Sequence, residues 1–214
     1  MRLLVFAHRA DYEAYLAARK LSVHAAGRGL CDYGGWQTLV CADGLPEADL
    51  RAIVLHELTH LFFFGTAPAV MPDWYAEGFA ETYGAQDSFT WDGKALKTGG
   101  LLRKDRLQAL QKAPMPLAEL FAGDPTQLLA KDPDRAHLWY AQCWALQRFL
   151  ADDECKWNDL FVQFEQQCRG QALGAPEGSL PLGSPMAAKA VFDRLFKKAL
   201  PELETAFKEW LAAL

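Results

Sequence analysis

Residues 56–60 read His56-Glu57-Leu58-Thr59-His60, two imidazoles four positions apart with a carboxylate directly after the first. On an α-helix, positions i and i+4 stand on one face about one turn apart, so both rings can approach a single ion. Imidazole nitrogens suit a tetrahedral Zn²⁺ at Zn–N distances of about 2.0–2.1 Å. Glu57 points roughly 100° away around the same helix, too far round to join the rings as a ligand. Its carboxylate can instead reach a water at the metal, which is the position of a general base. The flanks call for a partner: Ile53, Val54 and Leu55 precede the motif, and Leu61, Phe62, Phe63 and Phe64 follow it. Ionisable groups set in so apolar a helix are costly when unpartnered, and a metal is the simplest partner.

A third ligand has to come from another element. Pro68 and Pro72 lie in a loop that can turn the chain back, and 73–86 then reads as a second helix. Glu77 faces the first helix if the two pack antiparallel. Glu81 lies one turn further along the same face. There it can accept the second ring N–H of His56 or His60 and fix that ring's orientation; a solvated carboxylate is the other reading.

The elements that must position these residues follow from the pattern around them. Residues 3–7 read as a short buried strand and 10–20 as a helix. Residues 36–41 are rich in β-formers and follow two glycines, as in a hairpin or meander strand, whose edge can pair with an extended peptide. Asp43-Gly44 marks a turn, and Pro46 can open the helix that carries the motif. That helix is expected to reach Phe64, with Gly65 as its stop. Asp73 can cap the second helix. Residues 87–98 are polar and loop-like, whereas 101–113, 135–150, 157–168 and 201–214 carry apolar residues at helical spacing. Residues 171–185, rich in Gly, Pro and Ser, read as an exposed loop. The expected fold is α+β: a small N-terminal β-sheet lobe (1–87) packed on the metal-binding helix, then a mainly helical lobe (88–214), together one domain of 214 residues.

His56-Glu57-Leu58-Thr59-His60 followed by Trp74-Tyr75-Ala76-Glu77-Gly78-Phe79-Ala80 resembles the gluzincin zinc metallopeptidases, most nearly the bacterial peptidase-MA-like domains and more distantly aminopeptidase N and thermolysin. The resemblance covers roughly residues 40–150. It implies a zincin-like fold, Zn²⁺ on His56, His60 and Glu77, Glu57 as general base, and hydrolysis of a peptide or protein substrate. Sixteen residues (61–76) separate His60 from Glu77, slightly fewer than in those enzymes. By the same similarity Tyr140 donates its hydroxyl to the oxyanion, with His137, one turn earlier, as the fallback donor. Trp139, Trp144 and Phe149 surround Tyr140 in an amphipathic stretch, so a core aromatic is the competing reading. No Gly-x-Met-Glu-Asn strand occurs in 34–44, and aminopeptidase activity is therefore not expected. Two rival functions use the same residues: a zinc-bearing binding or scaffold domain with little turnover, and an amide hydrolase acting on a non-protein substrate.

Composition narrows the rest. A net charge of −5 argues against a nucleic-acid partner, which usually meets a concentrated basic face. The cluster Arg103, Lys104, Arg106 is mixed with Asp105 and reads as a solvated helix face. No apolar run nears the roughly 20 residues of a membrane span. Residues 1–6 are a short apolar run with Asp11 and Glu13 close behind, unlike a signal peptide, so cytoplasmic and exported locations both stay open. The five cysteines form no C-x-x-C pair. Cys31 and Cys41, flanking a turn at Tyr33-Gly34-Gly35, either lie opposite each other or serve as small buried thiols. His8 and His24 have no spaced partners and read as structural or surface residues.

Overall fold

A computed structural model of the chain describes residues 1–66, 71–84, 89–98, 104–174 and 185–214. Its architecture is α+β. The N-terminal part holds β1 (Arg2–Phe6), α1 (Arg9–Ala18), a 3₁₀ turn at Ser22–His24, β2 (Gly29–Asp32) and β3 (Gln37–Cys41). Helices α2 (Glu47–Thr66) and α3 (Asp73–Tyr83) follow, then a short pair β4 (Phe89–Trp91) and β5 (Leu96–Thr98). The remainder is helical: α4 (Lys104–Lys112), α5 (Leu117–Ala122), α6 (Pro125–Lys131), α7 (Pro133–Ala151), α8 (Asn158–Gly174), α9 (Pro185–Phe196) and α10 (Leu200–Ala213).

The N-terminal sheet runs β1-β3-β2. β3 is parallel to β1, with Leu4 opposite Leu39, and antiparallel to β2, with Cys31 opposite Thr38. Alternate side chains of β3 face opposite ways. Leu39 and Cys41 pack with Tyr12 and Leu16 of α1 in one small core, while Thr38 and Val40 turn to the other face, against which α2 lies. All five residues of β3 are buried. This corrects two expectations. The strand at 37–41 is central and has no free edge; the edges belong to β1 and β2. β1 is not buried either, since Leu3 and Val5 are 44% and 49% exposed.

The larger core belongs to the helices, with Trp74, Tyr75, Trp139, Trp144, Phe164 and Phe192 among its members. α2 packs against β2 and β3 on one side and α3 on another. A helix covered on both sides has no use for a polar face, which is why its apolar residues run almost all round. α3 packs most closely on α7. A Cβ at Gly78 would lie 2.5 Å from the carbonyl oxygen of Cys143, so the two backbones approach as near as they do only because position 78 is glycine. Inside α7 the buried amide of Gln142 donates to the Met115 carbonyl (2.7 Å) and accepts from the Met115 N–H (2.8 Å), and Trp139 Nε1 donates to the Leu120 carbonyl (2.9 Å). These bonds satisfy buried polar atoms and pin the chain around α5 to α7.

Other elements depart from expectation in detail. α2 continues past Gly65 to Thr66, and the indole of Trp36 lies over Gly65 where a Cβ would come within 3.2 Å of it. Pro72, not Asp73, is the N-cap of α3. The stretch read as polar loop contains the β4–β5 hairpin, turned by Asp92 and by Gly93 at φ 90°. Residues 175–184 of the expected loop lie outside the described residues, and its ends belong to α8 and α9. Cys31 and Cys41 do not face each other in the register; all five cysteines are free thiols, and all but Cys155 are buried. Among the described residues no helix is long and apolar enough to cross a membrane.

Candidate metal centre

His56 and His60 stand one turn apart on α2, and α3 brings Glu77 against both. His56 Nε2 lies 3.1 Å from His60 Nε2 and 3.1 Å from Glu77 Oε2, and His60 Nε2 lies 3.2 Å from the same oxygen. The three atoms form a nearly equilateral triangle. Donors held tetrahedrally at about 2.0–2.1 Å from one ion stand roughly 3.3 Å apart, so the triangle has the size of one face of such a site. Three electron-rich atoms this close repel one another unless positive charge stands among them. A proton bridges only one pair at a time; a cation serves all three. These residues therefore fit a small divalent metal ion.

The surroundings orient the set. Glu81 is buried, and its Oε1 lies 3.5 Å from His56 Nδ1. A ring proton on Nδ1 directed at this carboxylate leaves the Nε2 lone pair for the centre of the triangle. Of the two rings open to Glu81 by sequence, the structure selects His56. Burial works against charge on His56, but hydrogen bonds to Glu77 and Glu81 outweigh it and hold the imidazole pKa well above its ordinary value. Burial alone would raise the Glu77 pKa; the charges and hydrogen bonds of His60 and His56 reverse this and lower it.

Glu57 leaves α2 on the side of β2. A Cβ at Gly29 would sit 2.4 Å from Glu57 Oε1, so the strand makes room for the carboxylate by carrying no side chain there. The backbone N–H of Cys31 acts on this carboxylate to lower its pKa. Burial raises the Glu57 pKa, while the charges of His56 and His60 pull it down; the balance is a rise.

Tyr140 of α7 is half-buried, its ring 6.2 Å from that of His56 and nearly perpendicular to it. It packs against the helical core and also lines the cavity at the centre, so the two sequence readings of Tyr140 overlap. Burial and the charges of Glu77, Glu57 and Glu81 hold its phenol well above its ordinary pKa and keep it a hydrogen-bond donor. His137 is exposed and does not line the cavity, which removes it as a fallback donor.

The cavity encloses about 790 Å³. His56, Glu57, His60, Glu77 and Tyr140 contribute to its walls, and much of the remainder is apolar, including Leu30, Phe64 and Leu129. Three further lining residues carried no signal in the sequence. Asp73 lines the cavity and is not the cap of α3, Gly29 admits Glu57, and His24 Nδ1 lies 3.4 Å from Thr126 Oγ1, both lining the same cavity. Arg106, read as part of a solvated face, instead reaches Glu81.

Compared with known protein families, with curated proteins and with solved structures, the chain gives no match in any of the three.

Proposed function

We propose that the chain is a zinc-dependent hydrolase of peptide bonds, of the gluzincin type on a zincin-like fold. The observation that carries this reading is the triangle of His56 Nε2, His60 Nε2 and Glu77 Oε2, with spacings of 3.1–3.2 Å, on the wall of a cavity shared with Glu57 and Tyr140. When bound there, Zn²⁺ supplies Lewis acidity, drawing charge from a scissile carbonyl and easing the loss of a proton from water.

The chain's own residues do the rest. Glu57 takes the proton of the attacking water on its carboxylate and passes it to the leaving amine; a carboxylate raised by burial is better matched to that exchange than a solvated one. Tyr140 donates its O–H to the oxygen on which negative charge develops, an interaction made chiefly in the transition state. Glu81 holds the ring of His56 by Nδ1. The apolar cavity walls keep bulk water from weakening these contacts.

Elemental mass spectrometry of the purified protein, beside Glu77→Ala, tests the reading together with a casein digest and a panel of non-peptide amides. About one zinc per chain, falling sharply in the variant, with cleavage of casein, is the expected outcome. Zinc with amide but no casein hydrolysis moves the substrate outside proteins. Zinc without any turnover makes the domain a metal-bearing scaffold, and no zinc uptake removes the enzyme reading altogether.

A further inference from the structure

Behind the candidate ligands stands a cation that no motif announces. Glu81 is 6% exposed, and its carboxylate is approached from two sides. His56 Nδ1 lies 3.5 Å from Oε1, and Arg106 Nη2 lies 3.4 Å from Oε1 and 3.3 Å from Oε2. Arg106 arrives on α4, which packs against α7, and its Nη1 makes a long contact of 3.5 Å to the carbonyl of His137, one turn before Tyr140. One guanidinium thus touches the carboxylate behind a candidate ligand and the helix that carries the candidate oxyanion donor. We propose that Arg106 is a positioning residue of the metal centre, fixing through Glu81 the ring orientation that turns His56 Nε2 toward His60 and Glu77. The inference rests on the metal-binding reading given above.

The physical case is one of restrained rotation. The last torsion of a glutamate is broad, so a single contact to an imidazole leaves its two oxygens free to exchange places. Arg106 Nη2, placed 3.4 Å from Oε1 and 3.3 Å from Oε2, restrains that freedom, and the contact of Nη1 to the His137 carbonyl anchors the guanidinium itself, a second hold that a single ammonium on a flexible stem lacks. The carboxylate is also nearly dry, and a buried carboxylate is costly without a cation beside it. Outer partners that orient a ligating histidine are worth about 10–100-fold in metal affinity. Arg106 acts one contact further out, so about tenfold is expected of it.

The test compares wild type, R106Q, R106K, E81Q and the double variant E81Q/R106Q. Zinc affinity is measured by competition with a chromophoric chelator, and the visible spectrum of the Co²⁺-loaded protein reports ligand geometry. R106Q is expected to weaken zinc about tenfold and shift the cobalt spectrum, R106K to do so by about threefold. Adding R106Q to E81Q is expected to cost little more than E81Q alone, because the route runs through Glu81. Unchanged affinity and spectrum in R106Q, or a loss that adds in full to that of E81Q, overturns the proposal and leaves the metal site standing. A wild-type protein that takes up neither ion overturns the metal reading and this proposal with it. Thermal unfolding of the metal-free forms monitors folding. If R106Q does not fold, R106K decides: native melting with weakened affinity and a shifted spectrum supports positioning, and wild-type values in both overturn it.

Discussion

Gly29 lies directly against the carboxylate of Glu57: a Cβ placed on it would stand 2.4 Å from Oε1 and 2.7 Å from Cγ. The strand and the helix meet here with no room for a methyl group, so Gly29→Ala must push the carboxylate away from its place. With Glu57 as general base, Gly29→Ala is expected to lower kcat by about 10²-fold, as misplacement of a reacting group by an ångström does. Zinc content should stay at the wild-type level, as in Glu57→Gln, which should abolish turnover. Steady-state kinetics with parallel zinc analysis checks this; full activity in Gly29→Ala would place Glu57 outside the chemistry.

Tyr140→Phe removes one hydroxyl and little packing, since the ring already rests on the helical core. The expected result is a fall in kcat of about 10²-fold, the cost of one oxyanion donor, with KM and thermal stability close to wild type. An unchanged kcat would leave Tyr140 as a core aromatic alone.

Gly78→Ala is a test of the α3–α7 contact. The added carbon would come within 2.5 Å of the Cys143 carbonyl oxygen, an atom of backbone that cannot swing aside. The helices must part, at a cost of about 1–3 kcal/mol. Because Glu77 is the adjacent residue, zinc affinity is expected to fall together with the melting temperature. A variant that melts with the wild type and keeps its affinity would show that the helices yield more cheaply than their spacing implies.

Proton and metal compete for His56. Its raised pKa in the metal-free chain means that protons hold the ring up to a higher pH than they hold a free imidazole. Zinc affinity should therefore decline as pH falls from 8 to 6, and the decline should begin above the ordinary imidazole pKa of about 6.5. The metal-free fold behaves in the opposite sense. A raised folded-state pKa gives stability that is complete below about pH 6.5 and is lost as pH rises through the folded value. Glu77, shifted downward, contributes stability that is lost only near and below its unfolded value and so is silent in this window. Chelator competition and thermal melts across pH 6–8 check both; an affinity flat over that range would remove the competition.

The candidate ligands were legible because they obey helix periodicity and lie close in sequence. His56 and His60 are one turn apart, and Glu77 sits in the very next helix. α10 was legible for the same reason, with Leu203, Phe207 and Leu211 on one apolar face, whereas α7 is buried nearly all round, and its length is what marked it as a helix. What escaped depends on contacts between distant residues or on very short elements. Arg106 and Glu81 are separated by 25 positions, and a basic residue on an amphipathic helix looks the same whether it meets water or a carboxylate. The three-residue strands β4 and β5 are too short to show alternation. The end expected at Gly65 falls one residue later, at Thr66, within the scatter of helix boundaries. β3 read correctly as a strand, but its parallel pairing with β1 places it in the middle of the sheet, and pairing partners leave no trace in a single sequence.

The three candidate ligands fall within residues 56–77, on two consecutive helices, whereas Tyr140 and Arg106 arrive on α7 and α4. Closing the short segment between His60 and Glu77 costs little chain entropy compared with bringing Tyr140 into place. Bringing the three candidate ligands together is thus a local event in the chain, and adding Tyr140 and Arg106 to them a long-range one. On the proposed function, the order of assembly this implies is sequestration first and chemistry last: the local ligand set closes on α2 and α3, and the wall that carries Tyr140 is added by a longer closure.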